Sequence, residues 1–186
     1  MLLTSTYAMS KFLIVSDNHG DCEILSDIIA RWRPEVAGIF FNGDSKLSAK
    51  DAVFDGVSTV IGNMDYDPDF VEARATTIDQ VTFFQTHGHL YHVTMFNGWA
   101  NLELLDKAAL ESDAQVVLFG HTHIDGALAY NGKLFINPGS TSLPKGPRSI
   151  IGGTYAVLIV EADKFVVHFY NRSHILLDNL TVEMAR

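Results

Sequence analysis

The chain has 186 residues, 47% of them hydrophobic and 19% charged, enough for one domain with a real core and too apolar for a disordered chain. Its formal net charge of −9 counts against duplex DNA or RNA as a stable partner, while leaving room for a small anion drawn to a local positive site. The lone cysteine, Cys22, cannot form a disulfide within the chain, and no run is long and apolar enough to span a membrane. These features predict a cytoplasmic protein with no membrane partner.

Residues 1–10 read as an N-terminal tail, with Met9 just ahead of the first strand. Residues 11–16 form an apolar run that stops at Asp17, as a buried strand does. Residues 21–33 carry Cys22, Leu25, Ile28, Ile29 and Trp32 at helical spacing, with Pro34 as the stop, so Cys22 is expected to be packed or half-buried. A second strand over 36–41 stops at Asn42-Gly43-Asp44, a short helix fits 48–54, and a third strand over 57–61 stops at Gly62-Asn63. This β-α-β-α-β order is that of a parallel sheet covered by helices.

The second half is strand-rich. Strands are expected over 76–79 and 81–86, the latter ending at His87, then a helix over 98–110 and a buried strand over 116–119 ending at Gly120-His121. Asn131-Gly132 between 127–130 and 133–136 is a two-residue hairpin signal, and 154–160 with 165–170 form another hairpin. The reading is a single α/β domain over 11–178, two sheets packed face to face with helices outside, followed by a C-terminal tail over 179–186. Phe83, Phe84 and Tyr91 either cover the core or form an interface, which leaves a homo-oligomer open.

Five strand endings carry ligand-type residues: Asp17-Asn18-His19, Gly43-Asp44, Gly62-Asn63, His87-Gly88-His89 and Gly120-His121-Thr122-His123. Five of the eight histidines sit there. In α/β sheets the carboxyl ends of strands line the crevice where ligands bind, so five distant segments are expected to converge. Any one of these motifs alone is an ordinary turn or surface feature, and it is their joint occurrence after strands that carries the reading. Carboxylate and imidazole together suit Mn, Fe, Ni or Zn. Two carboxylates, one amide and four imidazoles are too many for one ion and suit two that share a carboxylate. Two divalent ions would outweigh Asp17 and Asp44, leaving about +1 even with a bridging hydroxide, enough to attract a phosphate. Ions ~3.5–4 Å apart can generate a hydroxide nucleophile and clamp phosphoryl oxygens.

These five motifs resemble those of the calcineurin-like metallophosphoesterases. Gly62-Asn63-x-Asp65, the short length and Asn137-Pro138-Gly139-Ser140 resemble the small prokaryotic YfcE-type phosphodiesterases, and the likeness runs from about residue 11 to 170. The resemblance implies a four-layer α-β-β-α sandwich and a phosphodiesterase acting on small diesters, with Mn²⁺ favoured and Ni²⁺, Fe²⁺ or Zn²⁺ as alternatives. It implies that Asp17, His19 and His123 hold one metal, that Asn63, His87 and His121 hold the other, and that Asp44 bridges them. Relatives acting on phosphoproteins carry a histidine where this chain has Met64. His89 is a replacement candidate as proton donor or substrate-orienting group, and Asp65 either orients a neighbour or caps its loop. Lys145 and Arg148 are read as a solvated loop, with reach to a substrate phosphate as the alternative, and Asn137-Pro138-Gly139 as a turn holding the crevice. His92, His168 and His174 lie outside the motifs. Competing readings are a phosphomonoesterase or nucleotide pyrophosphohydrolase on the same site, and a non-catalytic scaffold resembling the retromer small subunit.

Overall fold

A computed structural model of the chain describes residues 9–94 and 99–186. The expected tail residues 1–8, and Gly98 at the expected start of the second helix, lie outside the described residues. The first half runs β1 (Ser10–Val15), α1 (Cys22–Trp32), β2 (Gly38–Phe41) and β3 (Ser58–Thr59), then β4 (Ala73–Ile78) and β5 (Val81–Thr86). It continues through α2 (Glu103–Glu111), β6 (Val116–Leu118), β7 (Gly126–Tyr130), β8 (Lys133–Asn137), β9 (Thr154–Val160), β10 (Lys164–Asn171) and β11 (Val182–Ala185).

Alternation along β1 shows how the layers form. Phe12 and Ile14 point to one face, Leu13 and Val15 to the other, and all four are fully buried. The first pair joins Phe40, Phe83, Leu118, Ile136 and Leu158 in a core between two sheets. The second pair joins Leu25, Ile28, Ile29 and Trp32 of α1. On the far side, Phe84, Val117, Phe119 and Phe135 pack against Leu105 and Ala109 of α2. The result is α1, sheet, sheet, α2: the four-layer sandwich expected. Phe83 lies in the inter-sheet core, its ring tilted against Phe12 with centroids 4.8 Å apart, while Phe84 and Tyr91 belong to the α2 cluster, so all three serve packing.

One sheet has the order β11-β10-β9-β1-β2-β3, with β1, β2 and β3 parallel. The other has the order β4-β5-β6-β8-β7, with β5, β6 and β8 parallel. Asn131-Gly132 closes the β7–β8 hairpin, its two residues at φ 47° and 76°, the left-handed pair such a turn demands. Asp21 caps α1, accepting from Ile24 N at 3.3 Å, and Pro34 lies just past its end.

Three expectations need correction. The C-terminal tail is not one: Val182–Ala185 pairs antiparallel with β10, and Val182 and Met184 pack on the inter-sheet core. Cys22 is exposed, because it opens α1 and its Sγ turns back to Gly20 O at 3.3 Å. The short helix over 48–54 shrinks to a 3-10 turn over Ala52–Phe54, since Asp67 takes up Ser48 Oγ and Ala49 N and holds that stretch as a loop. No helix among the described residues is long and apolar enough to cross a membrane.

Behind α1 lies a buried polar chain. Trp32 Nε1 donates to Tyr155 Oη at 2.9 Å, and Tyr155 Oη meets His174 Nδ1 at 2.9 Å, so His174 is more than a tail residue. Burial pushes the Tyr155 hydroxyl up to about 12, so it stays protonated and can serve as donor and acceptor together. Tyr155→Phe is expected to cost about 1–3 kcal/mol, because the Trp32 N–H loses its buried acceptor. Urea denaturation would read this as a lower midpoint at unchanged slope.

Candidate metal centre

The carboxyl ends of β1, β2, β3, β5 and β6 meet at one edge of the sandwich, and side chains cross between the sheets to fix them. Asn42 Nδ2, just after β2, donates to Phe119 O at 3.0 Å, just after β6. Gln85 Nε2 on β5 donates to Phe41 O and to Asn42 Oδ1, each at 3.0 Å. The turn after β8 closes the frame, with Asn137 Nδ2 donating to Gly120 O at 3.0 Å and Ser140 Oγ to Asp17 O at 2.6 Å. The crevice-holding role expected of that turn is therefore visible in its bonds. Asn42, Gln85 and Ser140 were not singled out from sequence. The available signal was a buried polar residue at the end of an apolar run.

Two glycines are required by close approach. A Cβ on Gly120 would overlap Ser16 Oγ and come within 2.6 Å of Asp17 Oδ2. A Cβ on Gly62 would overlap the Asp44 carboxylate and backbone nitrogen. The residues that follow these strands are themselves held in the left-handed region: Asp17 (φ 56°), His19 (46°), Asp44 (62°), His121 (68°) and His123 (59°). Such backbone costs about 1 kcal/mol or more per residue, and it persists only where surrounding bonds over-determine it.

At the floor, Asp17 and His87 are completely buried and Asp44 nearly so. Asp17 Oδ2 accepts from His121 N at 3.1 Å and from Ser16 Oγ. Its other oxygen, Oδ1, has no hydrogen-bond partner although buried. Around that orphaned oxygen stand three imidazole nitrogens: His123 Nε2 at 3.1 Å, His19 Nε2 at 3.7 Å and His87 Nε2 at 3.9 Å. A buried carboxylate oxygen without a donor, facing imidazole lone pairs, fits a cation between them.

The histidine tautomers point the same way. His87 Nδ1 lies 2.7 Å from Asn42 O, and His123 Nδ1 lies 2.7 Å from Leu143 O. A carbonyl only accepts, so in the neutral ring each Nδ1 carries the proton and each Nε2 presents a lone pair to the centre. One donor atom each from Asp17, His19, Asp44 and His123 lies within 4.8 Å of the others. Asp44 Oδ2 lies 3.8 Å from His19 Nε2 and 3.5 Å from His87 Nε2, between the two groups of histidines. Beyond His87, Asn63 Oδ1 is 3.0 Å from its Nε2, and the His121 ring centre is 5.1 Å from its own. The seven residues expected as ligands thus lie at one end of the sandwich, four of them as a compact group, with His19, Asn63 and His121 toward the opening.

The charges in the cluster are strongly coupled. Burial alone raises the Asp17 carboxyl, but His87, His123 and His19 hold it far below the usual carboxylate range. Burial likewise opposes ionisation of Asp44, and His87 more than offsets it. His87, disfavoured as a cation by burial, is raised to about 9 by Asp17 and Asp44. His121 is driven down to about 4 by burial and by the charge on His87. The two carboxylates thus favour positive charge among the imidazoles, the polarity that a bound cation would supply.

The other candidates separate clearly. Asp65 is buried, and its four acceptor positions go to Asp44 N and Gly62 N at 2.8 Å on Oδ2, and to Ser45 Oγ at 3.1 Å and Lys46 N at 2.8 Å on Oδ1. Of its two readings, the geometry is that of a loop cap, one that clasps both ligand loops. His89 follows Gly88 (φ 111°), with its ring centre 5.3 Å from that of His87 and 6.0 Å from that of His121. Burial and His87 lower its pKa, so it is neutral near pH 7. Met64 N donates to Asp44 Oδ1 at 2.7 Å while its side chain is exposed. Arg148 is committed to Asp125, through Nε to Oδ2 at 2.7 Å and a second nitrogen to the backbone oxygen at 2.6 Å. The reach toward a substrate phosphate considered for Arg148 is therefore spent on its own loop. His92 and His168 stay outside the centre.

Comparison with known proteins agrees with this geometry. Residues 10–163 match the calcineurin-like phosphoesterase superfamily domain. A probable metallophosphoesterase of Bacillus subtilis, YsnB, is 36% identical over 163 residues, covering 87% of this chain and 90% of that protein. The crystal structure of a conserved uncharacterized protein from Streptococcus pneumoniae, a predicted phosphoesterase, superposes with a TM-score of 0.89 at 34% identity, covering 96% of this chain and 99% of the other. The Escherichia coli phosphoesterase YfcE shares the fold at a TM-score of 0.59 and 20% identity, over 95% of this chain and 99% of its own. The matched stretch contains every strand whose end carries an expected ligand, and the chain belongs to the calcineurin-like phosphoesterase superfamily.

Proposed function

We propose that the protein hydrolyses small phosphate diesters at a two-metal centre, with Mn²⁺ the favoured ion. The observation that carries this reading is the orphaned Asp17 Oδ1 ringed by three Nε2 atoms, with Asp44 Oδ2 standing between two groups of histidines. Asp17, His19 and His123 would hold one ion, Asn63, His87 and His121 the other, and Asp44 both. When bound, such a pair supplies a water nucleophile of lowered pKa and a Lewis-acid clamp for the phosphoryl oxygens.

The chain's own groups do the rest. Asn42 O and Leu143 O fix the His87 and His123 tautomers, and Asp65 fixes the loop that carries Asp44. His89, a neutral imidazole beside His87 and His121, would hydrogen-bond the leaving oxygen, because Met64 offers no proton. A leaving group that departs without full protonation suits this arrangement, which favours activated diesters over monoesters of poor leaving groups.

The test is to strip the protein with chelator, add Mn²⁺ and measure bound metal alongside hydrolysis of bis(p-nitrophenyl) phosphate and p-nitrophenyl phosphate. Two ions per chain with faster diester turnover are expected. Fewer than one ion per chain with no turnover would favour a scaffold, and faster monoester turnover would reverse the substrate assignment.

A further inference from the structure

The chain's cations are unevenly committed. Lys50, Lys133, Lys164, Arg148 and Arg172 each hold a carboxylate at 2.7–3.0 Å. Lys46 and Lys145 form no ion pair among the described residues, and both are exposed.

Both lysines are anchored beside the same two histidines. Lys46 lies two residues past Asp44, in the left-handed region (φ 59°), pinned by its N–H to Asp65. Its loop is zipped onto the Asp17 loop by His19 N to Asp44 O and Gly20 N to Ser45 O, each 3.0 Å. The side chain then runs over Gly20, so that a Cβ built there would lie 4.0 Å from Lys46 Cδ. Lys145 N donates to His123 O at 2.9 Å. His19 Nε2 and His123 Nε2 are 3.0 Å apart, so the backbones that carry Lys46 and Lys145 meet at one end of the centre. At the other end the neighbours are apolar: Met64 beside Asn63 is 36% exposed, and Leu90 beside His89 is 47% exposed.

On a chain of net charge −9, two unpaired ammonium groups beside the candidate centre add local positive charge there. Taking the phosphodiesterase reading as its basis, we propose that Lys46 and Lys145 form an anion subsite at the His19–His123 end. The substrate would then be a diester whose retained arm carries a second anionic group, a carboxylate or a phosphate, with an apolar leaving group toward Met64 and Leu90. The Lys46 backbone is held by Asp65 in a conformation lysine rarely adopts, and its stem runs over Gly20, next to His19.

Two p-nitrophenyl diesters that differ only in the second arm, 3-carboxypropyl against its methyl ester, test the subsite on the Mn²⁺-loaded protein. The ratio of their kcat/KM values should favour the carboxylate by about tenfold, the scale of two exposed ion pairs, chiefly through KM. It should shrink with added salt. In the double variant Lys46→Gln/Lys145→Gln the ratio should fall to near one. In Lys46→Glu/Lys145→Glu it should drop below one, and Lys46→Arg/Lys145→Arg should keep the preference. A wild-type ratio near one, or a ratio the glutamine pair leaves intact, overturns the subsite. Absence of turnover on both diesters overturns the phosphodiesterase reading instead.

Discussion

Asp44→Asn is expected to fold as the parent does and to lose about a thousandfold or more in diester turnover. The geometry lets this variant isolate charge from shape. Asp44 Oδ1 accepts from Met64 N at 2.7 Å, and an asparagine oxygen can keep that bond. Oδ2 faces His87 Nε2 at 3.5 Å and His19 Nε2 at 3.8 Å, and there an amide NH₂ would replace the anionic donor that the proposed two-metal centre shares. Losing that donor removes several kcal/mol of cation binding and of transition-state charge stabilisation, and each ~1.4 kcal/mol is a factor of ten. Circular dichroism of chelated protein should match the parent, while its thermal midpoint should fall modestly, because the His87 interaction that holds the Asp44 carboxyl below its usual range is lost. Metal analysis should show fewer ions per chain. Parent-like turnover with parent-like metal content would remove Asp44 from the centre.

Much of this centre was legible in the chain because strand ends carry two signals at once. An apolar run such as Phe12 to Val15 must be buried, and a polar residue following it at once must lie at the sheet's edge. Five such endings therefore predict convergence without any knowledge of pairing. Other features depend on long-range backbone geometry that composition does not encode. The Leu143 carbonyl that fixes His123, and the Asn42 carbonyl that fixes His87, are main-chain groups whose placement follows only from the folded loops. β11 escaped notice because four residues alternating between half-buried and exposed, at a sheet edge, look like any mixed tail. Cys22 was misplaced because helical phase identifies a face, whereas burial also needs something opposite that face, and the first turn of α1 is exposed on it. Asp65 illustrates the limit from the other side. Its position two residues after Asn63 drew attention to it, but whether its oxygens faced substrate or backbone depended on where Asp44 and Lys46 came to rest.

That dependence makes Asp65 the residue with the second-largest expected effect. Asp65→Asn keeps size and shape but turns one acceptor oxygen into an NH₂ group. If the amide oxygen takes the place of Oδ2, Asp44 N and Gly62 N keep their acceptor while Ser45 Oγ and Lys46 N face a donor; in the flipped rotamer the losses reverse. Either way a buried N–H is left without an acceptor, beside residues already held at φ 62° and 59°. The expected cost is about 2–4 kcal/mol of stability, the sum of an unmet buried donor and a lost charge-assisted bond. Strain at Asp44 would be released as well, so metal affinity should fall about 10–100-fold, as it does when a ligand's supporting partner is removed. The two losses have separable readouts. Urea denaturation of chelated protein reports the first, and Mn²⁺ titration of activity reports the second. If Asp65 served only to position Asp44, saturating Mn²⁺ should restore most of the turnover while the urea midpoint of chelated protein stays low. A kcat that stays depressed at saturating metal, with stability unchanged, would instead make Asp65 a group that acts on the substrate.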